Sequence, residues 1–429
     1  MFSTLQVNRI KHLGDLPEGL ITKVLIRLPV KSLLICKCVC KPWLSTISNP
    51  NFVKSHIHHS ITTCRNDPTL LNIINVPQLA FLAIEPHEYS PYPTPAELQQ
   101  QQLQRRRRHL INQALDDANR QDLSESPLQF GRVALPGPFQ MTHFIGCCNG
   151  IICLSSYNYV VYLWNPSVKM FRKLHLPNPR RSVAVTVGFG YDSISDEYKI
   201  LRLVYMNEND VVPIANVYHV NEDSSRQFQG PTLTTQIYNF WPSPSNIVVN
   251  GVLYFDGGDQ LVTFDLHDEV FGLVPFPNSV QRKRSDVMDF EGYVAVVFES
   301  GTGVDLWTFD KVEFAWTKKF SIDYGIDDLD VEIKLSCYLG AKQFYGEKSL
   351  YGNYFVHEIL YDYEKKETKY YGLREEYVNI YAASEESEMH VRAMLEDSIV
   401  PVHAAFRFME TLVSLSGFEP VGDAKNQIL

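Results

Sequence analysis

The sequence lacks most of the patterns that announce chemistry. It has no Gly-x-Ser-x-Gly elbow and no glycine-rich loop ending in Gly-Lys-Ser or Gly-Lys-Thr, which removes the common signatures of hydrolases and phosphate-loop enzymes. Gly188-Phe189-Gly190 lacks the third glycine and the following helix that a dinucleotide fingerprint requires, because the next segment reads as a strand. No stretch approaches the roughly eighteen apolar residues of a membrane span, and MFSTLQVNRIKHLGD has no apolar run of signal-peptide length. A soluble, intracellular chain, cytoplasmic or nuclear, is therefore expected, with no membrane partner. Excess positive charge is also missing: 39 Lys and Arg stand against 49 Asp and Glu, a net charge of -10, which excludes nucleic-acid binding as the main business. Cysteine is sparse for 429 residues and irregularly placed, at 36, 38, 40, 64, 147, 148, 153 and 337, which predicts reduced and mostly buried thiols rather than a disulfide frame.

Several clusters invite a metal and fail on spacing. Cys36, Cys38 and Cys40 point in different directions on helical backbone, and core packing is the better reading. His56, His58 and His59 have no carboxylate or thiol at recognisable spacing and read as a polar exit from a helix. The acidic run Asp323, Asp327, Asp328, Asp330 and Glu332 does not follow the spacing of an EF-hand. No metal, no cofactor and no catalytic residue are expected.

What is present begins at Leu13. Asp15 and Glu18 form a capping-box pattern around Pro17, and Leu16, Leu20, Val24 and Leu28 make one helical ridge beside Ile21 and Leu25. Pro29 ends that helix, and Pro42 separates two further short ones carrying Leu33, Leu34, Val39, Trp43, Leu44 and Ile47. A unit of about forty residues is marginal alone, so its excess apolar surface must meet a partner or a second domain. Leu16-Pro17, then Arg27-Leu28-Pro29-Val30-Lys31-Ser32-Leu33, then Cys38-Val39-Cys40-Lys41-Pro42-Trp43, in that order, resemble the F-box in its plant form. The resemblance implies docking on a Skp-type adaptor and, through it, on a cullin ubiquitin ligase. It places Leu16, Pro17, Ile21, Leu25, Leu28, Pro29 and Leu33 toward the adaptor, with Trp43 packing the helices from behind. The alternative is a helical subdomain packed only on its own chain.

After the helices, LLNIIN and LAFLAI around Val76-Pro77-Gln78 read as two strands joined by a turn. Residues 85–128, with a glutamine run and Arg105 to Arg108, read as a solvated insertion. Beyond Leu128 the pattern is β and it repeats: a strand ends in Asn or Asp, a polar turn follows, and an aromatic closes the copy. The turn-entry residues Asn165, Asn221, Asp265, Asp310 and Asp362 lie 56, 44, 45 and 52 positions apart. Gly150, Gly251 and Gly292 mark an upstream tight turn in three copies. A period of this length with several strands per unit is the signature of a β-propeller, and Val402 to Leu415 is placed to return and close the ring. Six to seven blades are expected; two stacked β-sandwiches are the runner-up.

The segments 144–154, Leu163-Trp164-Asn165-Pro166-Ser167, Gly188-Phe189-Gly190-Tyr191-Asp192 and Asp196-Glu197-Tyr198-Lys199 resemble the F-box-associated domain of the same superfamily. That resemblance implies a kelch-type propeller that recognises a target. The fold class expected is thus α+β and multidomain, with a helical domain over residues 1–60 and an all-β propeller over 61–429. The function expected is a non-catalytic substrate-recognition subunit; a scaffold acting without ubiquitin transfer and a propeller hydrolase are the alternatives. The protein target is unknown, and Tyr238, Phe240 and Trp241, three aromatics in a polar, proline-bounded stretch, are its candidate contacts, although Phe240 and Trp241 also fit the start of a core strand. Trp164 and Trp307 read as core.

Overall fold

In the computed structural model, the described residues are 17–64, 69–74, 129–134, 142–156, 160–176, 184–207, 212–233, 246–257, 260–277, 285–300, 303–323, 331–340, 342–350, 355–375 and 403–421. Four helices come first: α1 (Glu18–Leu25), α2 (Val30–Cys36), α3 (Lys41–Ser48) and α4 (Pro50–Cys64). Prolines punctuate them as the sequence predicts. Pro29 is the N-cap of α2, and Pro42 occupies the first turn of α3, where its missing N–H costs nothing. The start of α1 differs from the capping-box reading: Pro17 is its N-cap and makes no side-chain cap, while its carbonyl accepts from Leu20 N at 2.8 Å. Leu25, Val30, Leu33, Ile47 and Phe52 form the centre of the helical domain.

Strands β1 (Thr69–Ile74) and β2 (Gln129–Ala134) precede five antiparallel sheets, each built on four consecutive strands, the first of them extended by a fifth from the end of the fold. The first consists of β3 (Thr142–Cys148), β4 (Ile151–Ser156), β5 (Val160–Asn165) and β6 (Met170–His175). The second holds β7 (Ala184–Asp192), β8 (Glu197–Tyr205), β9 (Ile214–His219) and β10 (Ser224–Gln229). In the third are β11 (Asn246–Val249), β12 (Val252–Asp256), β13 (Gln260–Asp265) and β14 (Phe271–Pro275). The fourth has β15 (Ser285–Phe290), β16 (Tyr293–Ser300), β17 (Gly303–Asp310) and β18 (Ala315–Asp323), and the fifth β19 (Val331–Gly340), β20 (Gln343–Leu350), β21 (Phe355–Asp362) and β22 (Glu367–Glu375). Two last strands, β23 (His403–Phe408) and β24 (Glu419–Pro420), finish the fold.

The first strands of the sheets are neighbours in a closed cycle, β3, β7, β11, β15, β19, β23 and back to β3. Among the described residues this is a propeller with five complete blades. A three-stranded sheet in the order β2, β1, β23 occupies the remaining sector, so five blades stand where six to seven were expected. The blades bury both faces, which is why their middle strands read as unbroken apolar runs. In β16, Val294, Val296 and Phe298 face blade 3 while Ala295 and Val297 face blade 5, and each set joins a separate buried cluster.

The repeat read from the sequence has a local cause. Asn165, Asp265, Asp310 and Asp362 each end the third strand of a blade and accept backbone N–H groups with their side-chain oxygens; Asp310 takes Val312 N at 2.8 Å and Glu313 N at 3.1 Å. Four positions later the chain turns through positive φ, at Lys169, Glu269, Phe314 and Lys366. In blade 2 the positive-φ residue is Asp223, so the equivalent strand end is His219, and Asn221 lies two residues inside the turn. The upstream turns are also as expected. Asn149-Gly150, Asn250-Gly251 and Glu291-Gly292 are two-residue hairpin loops with both residues at positive φ, as a type I′ turn demands.

Of the expected hairpin around Pro77 the first strand is present as β1, which pairs in parallel with β2 and antiparallel with β23. The rest of that stretch and the insertion fall outside the described residues. The returning strand did appear, within the predicted Val402 to Leu415, and it closes the ring through β1. Trp164 is buried at 3% exposure, and Trp307 packs on the cluster between blades 3 and 4.

Blade contact depends on glycine at Gly188, where an added Cβ would lie 2.3 Å from Leu253 Cδ2 of blade 3. By contrast, Gly251 has nothing within 4 Å of such a Cβ but holds φ +77°. Gly188→Val should therefore cost about 1–3 kcal/mol through overpacking, and Gly251→Ala about 1–2 kcal/mol through conformation alone. Urea unfolding measures both. A Gly188→Val protein as stable as the parent would contradict the blade packing.

Candidate functional site

The helical domain leaves much of its apolar surface to water. Leu20 and Val24 on α1, Ile35 on α2, Val39 in the following turn and Leu44 on α3 are 45–70% exposed. Among the residues assigned to docking, Pro17 and Pro29 are exposed, Ile21 and Leu28 are half-buried, and Leu25 and Leu33 have no exposed surface. Leu25 and Leu33 belong to the core and support the outer residues from beneath, while Leu16 lies outside the described residues. Trp43 packs partly buried against the same core.

His56 holds that surface from inside, a role that a polar helix exit did not anticipate. It is 3% exposed on α4, stacks on Phe52 at 6.3 Å, and donates Nε2–H to the carbonyl of Leu28 at 3.0 Å. The donor assignment follows from the partner, since a carbonyl only accepts. The bond ties α4 to the loop that carries Leu28 and Pro29. Burial pushes the imidazole below the ordinary histidine range; the Leu28 contact opposes this and His59 adds to it. His58 is exposed and His59 half-buried.

The same helix seats the domain on the propeller. Val53 and Ile57 pack on the cluster between blades 1 and 2, and Lys54 Nζ lies 2.5 Å from Asp196 Oδ2 in the turn between β7 and β8. Asp196 also accepts from Tyr191 Oη at 2.5 Å. From the other end of the chain, Leu412 enters the helical core.

The Gly188–Asp192 and Asp196–Lys199 motifs prove to be joints between blades. Lys199, 5% exposed in its side chain, donates to Leu266 O at 2.5 Å and Glu269 Oε1 at 2.9 Å, and lies 3.5 Å from Asp192 Oδ2. Asp192 further accepts from His267 Nδ1 at 3.0 Å, from Ser195 Oγ at 2.5 Å and from the Ile194 and Ser195 backbone. Burial raises its carboxyl, but these donors outweigh burial and hold it well below the usual carboxylate range. His219 and Arg226 complete the shell of Glu269. Each charge in this network already has a partner, so the arrangement fastens blade 2 to blade 3 and does not aim an acid or base at a cleft.

Tyr238, Phe240 and Trp241 lie outside the described residues. Seven cysteines are free thiols: Cys153 is buried, Cys36, Cys147, Cys148 and Cys337 pack half-buried against core clusters, and Cys38 and Cys40 are exposed. Of the cluster expected to pack in the core, Cys36 does so, whereas Cys38 and Cys40 lie in the turn between α2 and α3 and face water. Among the described residues, no helix is long and apolar enough to cross a membrane.

Comparison with known proteins agrees with this division into two domains. Residues 13–55 match the F-box domain, and residues 113–375 match the family described as the F-box associated beta propeller domain. An F-box/kelch-repeat protein of Arabidopsis thaliana is 26% identical over 335 residues, 73% of this chain and 81% of its own. An F-box protein of the same plant is 26% identical over 349 residues, 72% of this chain and 73% of its own. A putative F-box protein, also from Arabidopsis thaliana, is 25% identical over 381 residues, 84% of this chain and 88% of its own.

The buried histidine makes the helical domain sensitive to acid. Because its pKa is depressed in the folded state, the unfolded chain binds the proton more readily, so the stability is whole above about pH 6.5 and is lost as pH falls from there through the folded value. Hydrogen exchange of α4 and the Leu28 loop should accelerate between pH 7.5 and about 5.5 beyond the intrinsic trend. His56→Gln should remove that excess acceleration; an unchanged slope in the variant would contradict the assignment.

Proposed function

The chain belongs to the family of F-box associated beta propeller proteins, and on that premise we propose that it is the substrate-recognition subunit of a Skp–cullin–F-box ubiquitin ligase. The F-box docks on the Skp-type adaptor, the adaptor brings the cullin, and the propeller, of the kelch type, holds the protein target. The chain itself carries out no chemistry. Ubiquitin transfer is accelerated by proximity, since holding a target lysine near the loaded enzyme turns a bimolecular encounter into an effectively intramolecular one.

The observation that carries this reading is the exposed apolar surface of the F-box. Its core is filled, yet Leu20, Val24, Ile35, Val39 and Leu44 remain open to water, a distribution that fits a docking face. Pro17, Ile21, Leu28 and Pro29 contribute from the α1 side, and Leu25 and Leu33 shape the face from below; Leu16 completes the set. On the propeller, Tyr238, Phe240 and Trp241 are the proposed target contacts, because large aromatics bury much area at low entropic cost. Cytoplasm or nucleus is the setting.

Leu20→Asp with Val24→Asp tests the docking face, since both side chains are about half exposed and tolerate charge in the free protein. Burying two unpaired carboxylates in an apolar contact costs several kcal/mol, comparable with the roughly 8 kcal/mol of a micromolar complex. Capture by a purified Skp-type adaptor should be lost while the thermal midpoint is kept. Full capture by this variant would refute the docking reading.

A further inference from the structure

The segment Met409–Val421, which follows the ring-closing strand β23, is tied into both domains at successive residues. Thr411 is fully buried. Its hydroxyl donates to Asn149 O at 2.8 Å, and Asn165 Nδ2 donates to Thr411 O at 3.1 Å and to Val413 O at 2.9 Å. Blade 1 leaves room for this clamp only because residue 150 is glycine: a Cβ there would lie 2.5 Å from Thr411 Oγ1 and 2.6 Å from Met409 O. Leu412, 4% exposed, turns the other way and enters the F-box core with Leu25, Val30, Leu33, Ile47 and Phe52. Val413 returns to the cluster between blades 1 and 2, with Leu415 and Phe418 against it. Such alternation is what extended backbone gives, with neighbouring side chains on opposite sides. Farther on, β24 pairs with the outer edge of β6, and Val421 N donates to Lys169 O at 3.0 Å.

We infer that this C-terminal strap is a structural arm of the F-box: the helices hold their adaptor-competent form only when Leu412 is seated, so the far end of the chain sets adaptor affinity from behind the docking face. Leu25 and Leu33, which shape that face from beneath, belong to the same buried cluster as Leu412. The Lys31–Glu410 pair at 3.7 Å is too exposed to carry the coupling, and Lys54–Asp196 acts on α4 alone. This inference rests on the adaptor reading above for its affinity arm, but not for its structural arm.

The test is Leu412→Ala in the full chain, read by hydrogen exchange and by binding to a purified Skp-type adaptor. Exchange in α2–α4 should accelerate more than about tenfold, as loss of a buried leucine implies, with β11–β18 unchanged. Adaptor affinity should fall by about threefold or more, as the competent fraction drops, and Leu412→Met should restore both. Helices that keep their protection, protection lost equally from β11–β18, or an affinity untouched by the variant would overturn the inference. Should the parent chain not bind the adaptor, the ligase reading fails, and the exchange arm alone decides the strap.

Discussion

A propeller holds together only if its last sheet is tied to its first, and here the tie is the antiparallel pairing of β1 with β23. Everything else in the architecture follows from where those two strands sit in the chain. Strand β1 begins five positions after the end of α4, so the ring-closing sheet and the F-box are close neighbours in the chain. Strand β23 runs directly into the strap, so the chain that closes the ring continues into the helical core through Leu412. The two domains are thus joined at both ends of the propeller sequence, and Lys54 with Asp196 adds a third point between α4 and blade 2.

This joining bears on how a non-catalytic subunit would work. In the proposed role its contribution to ubiquitin transfer would be geometric, and geometry is worth most when little motion is left to average it away. The buried charges between blades 2 and 3 act in the same direction. Lys199, shared by Asp192 and Glu269, is costly to desolvate, and its two carboxylate partners, one on each blade, offset that cost where the blades meet. Gly188 and Gly190, whose added Cβ atoms would strike Leu253 and Leu266, permit that close approach. A motif that carries the resemblance to the F-box-associated domain is thereby an assembly device.

The parts of this structure legible in the sequence are those with a local cause. Asx-type turn entries followed four positions later by positive φ recur because each hairpin solves the same problem, and the Asn-Gly loops announce themselves for the same reason. Even there the sequence misplaced blade 2, where His219 ends the strand and a nearby asparagine took its place in the reading. The F-box was legible as an ordered motif, but not the depth of each leucine, since Leu25 and Leu33 are buried in a cluster that also takes in Leu412 from far along the chain. The role of His56 was hidden for the same reason: only the fold brings α4 to the Leu28 carbonyl. The parallel pairing of β1 with β2 was illegible because a hairpin looked closer and the true partner lay beyond the insertion.

The central claim is that F-box and propeller form one body. Distance distributions between spin labels, introduced as non-canonical side chains at the exposed positions Ser45 on α3 and Lys365 in the turn between β21 and β22, measure this directly. The account predicts one narrow distribution that keeps its width when the strap is intact, with or without an adaptor bound. A broad or bimodal distribution in the free chain would contradict it.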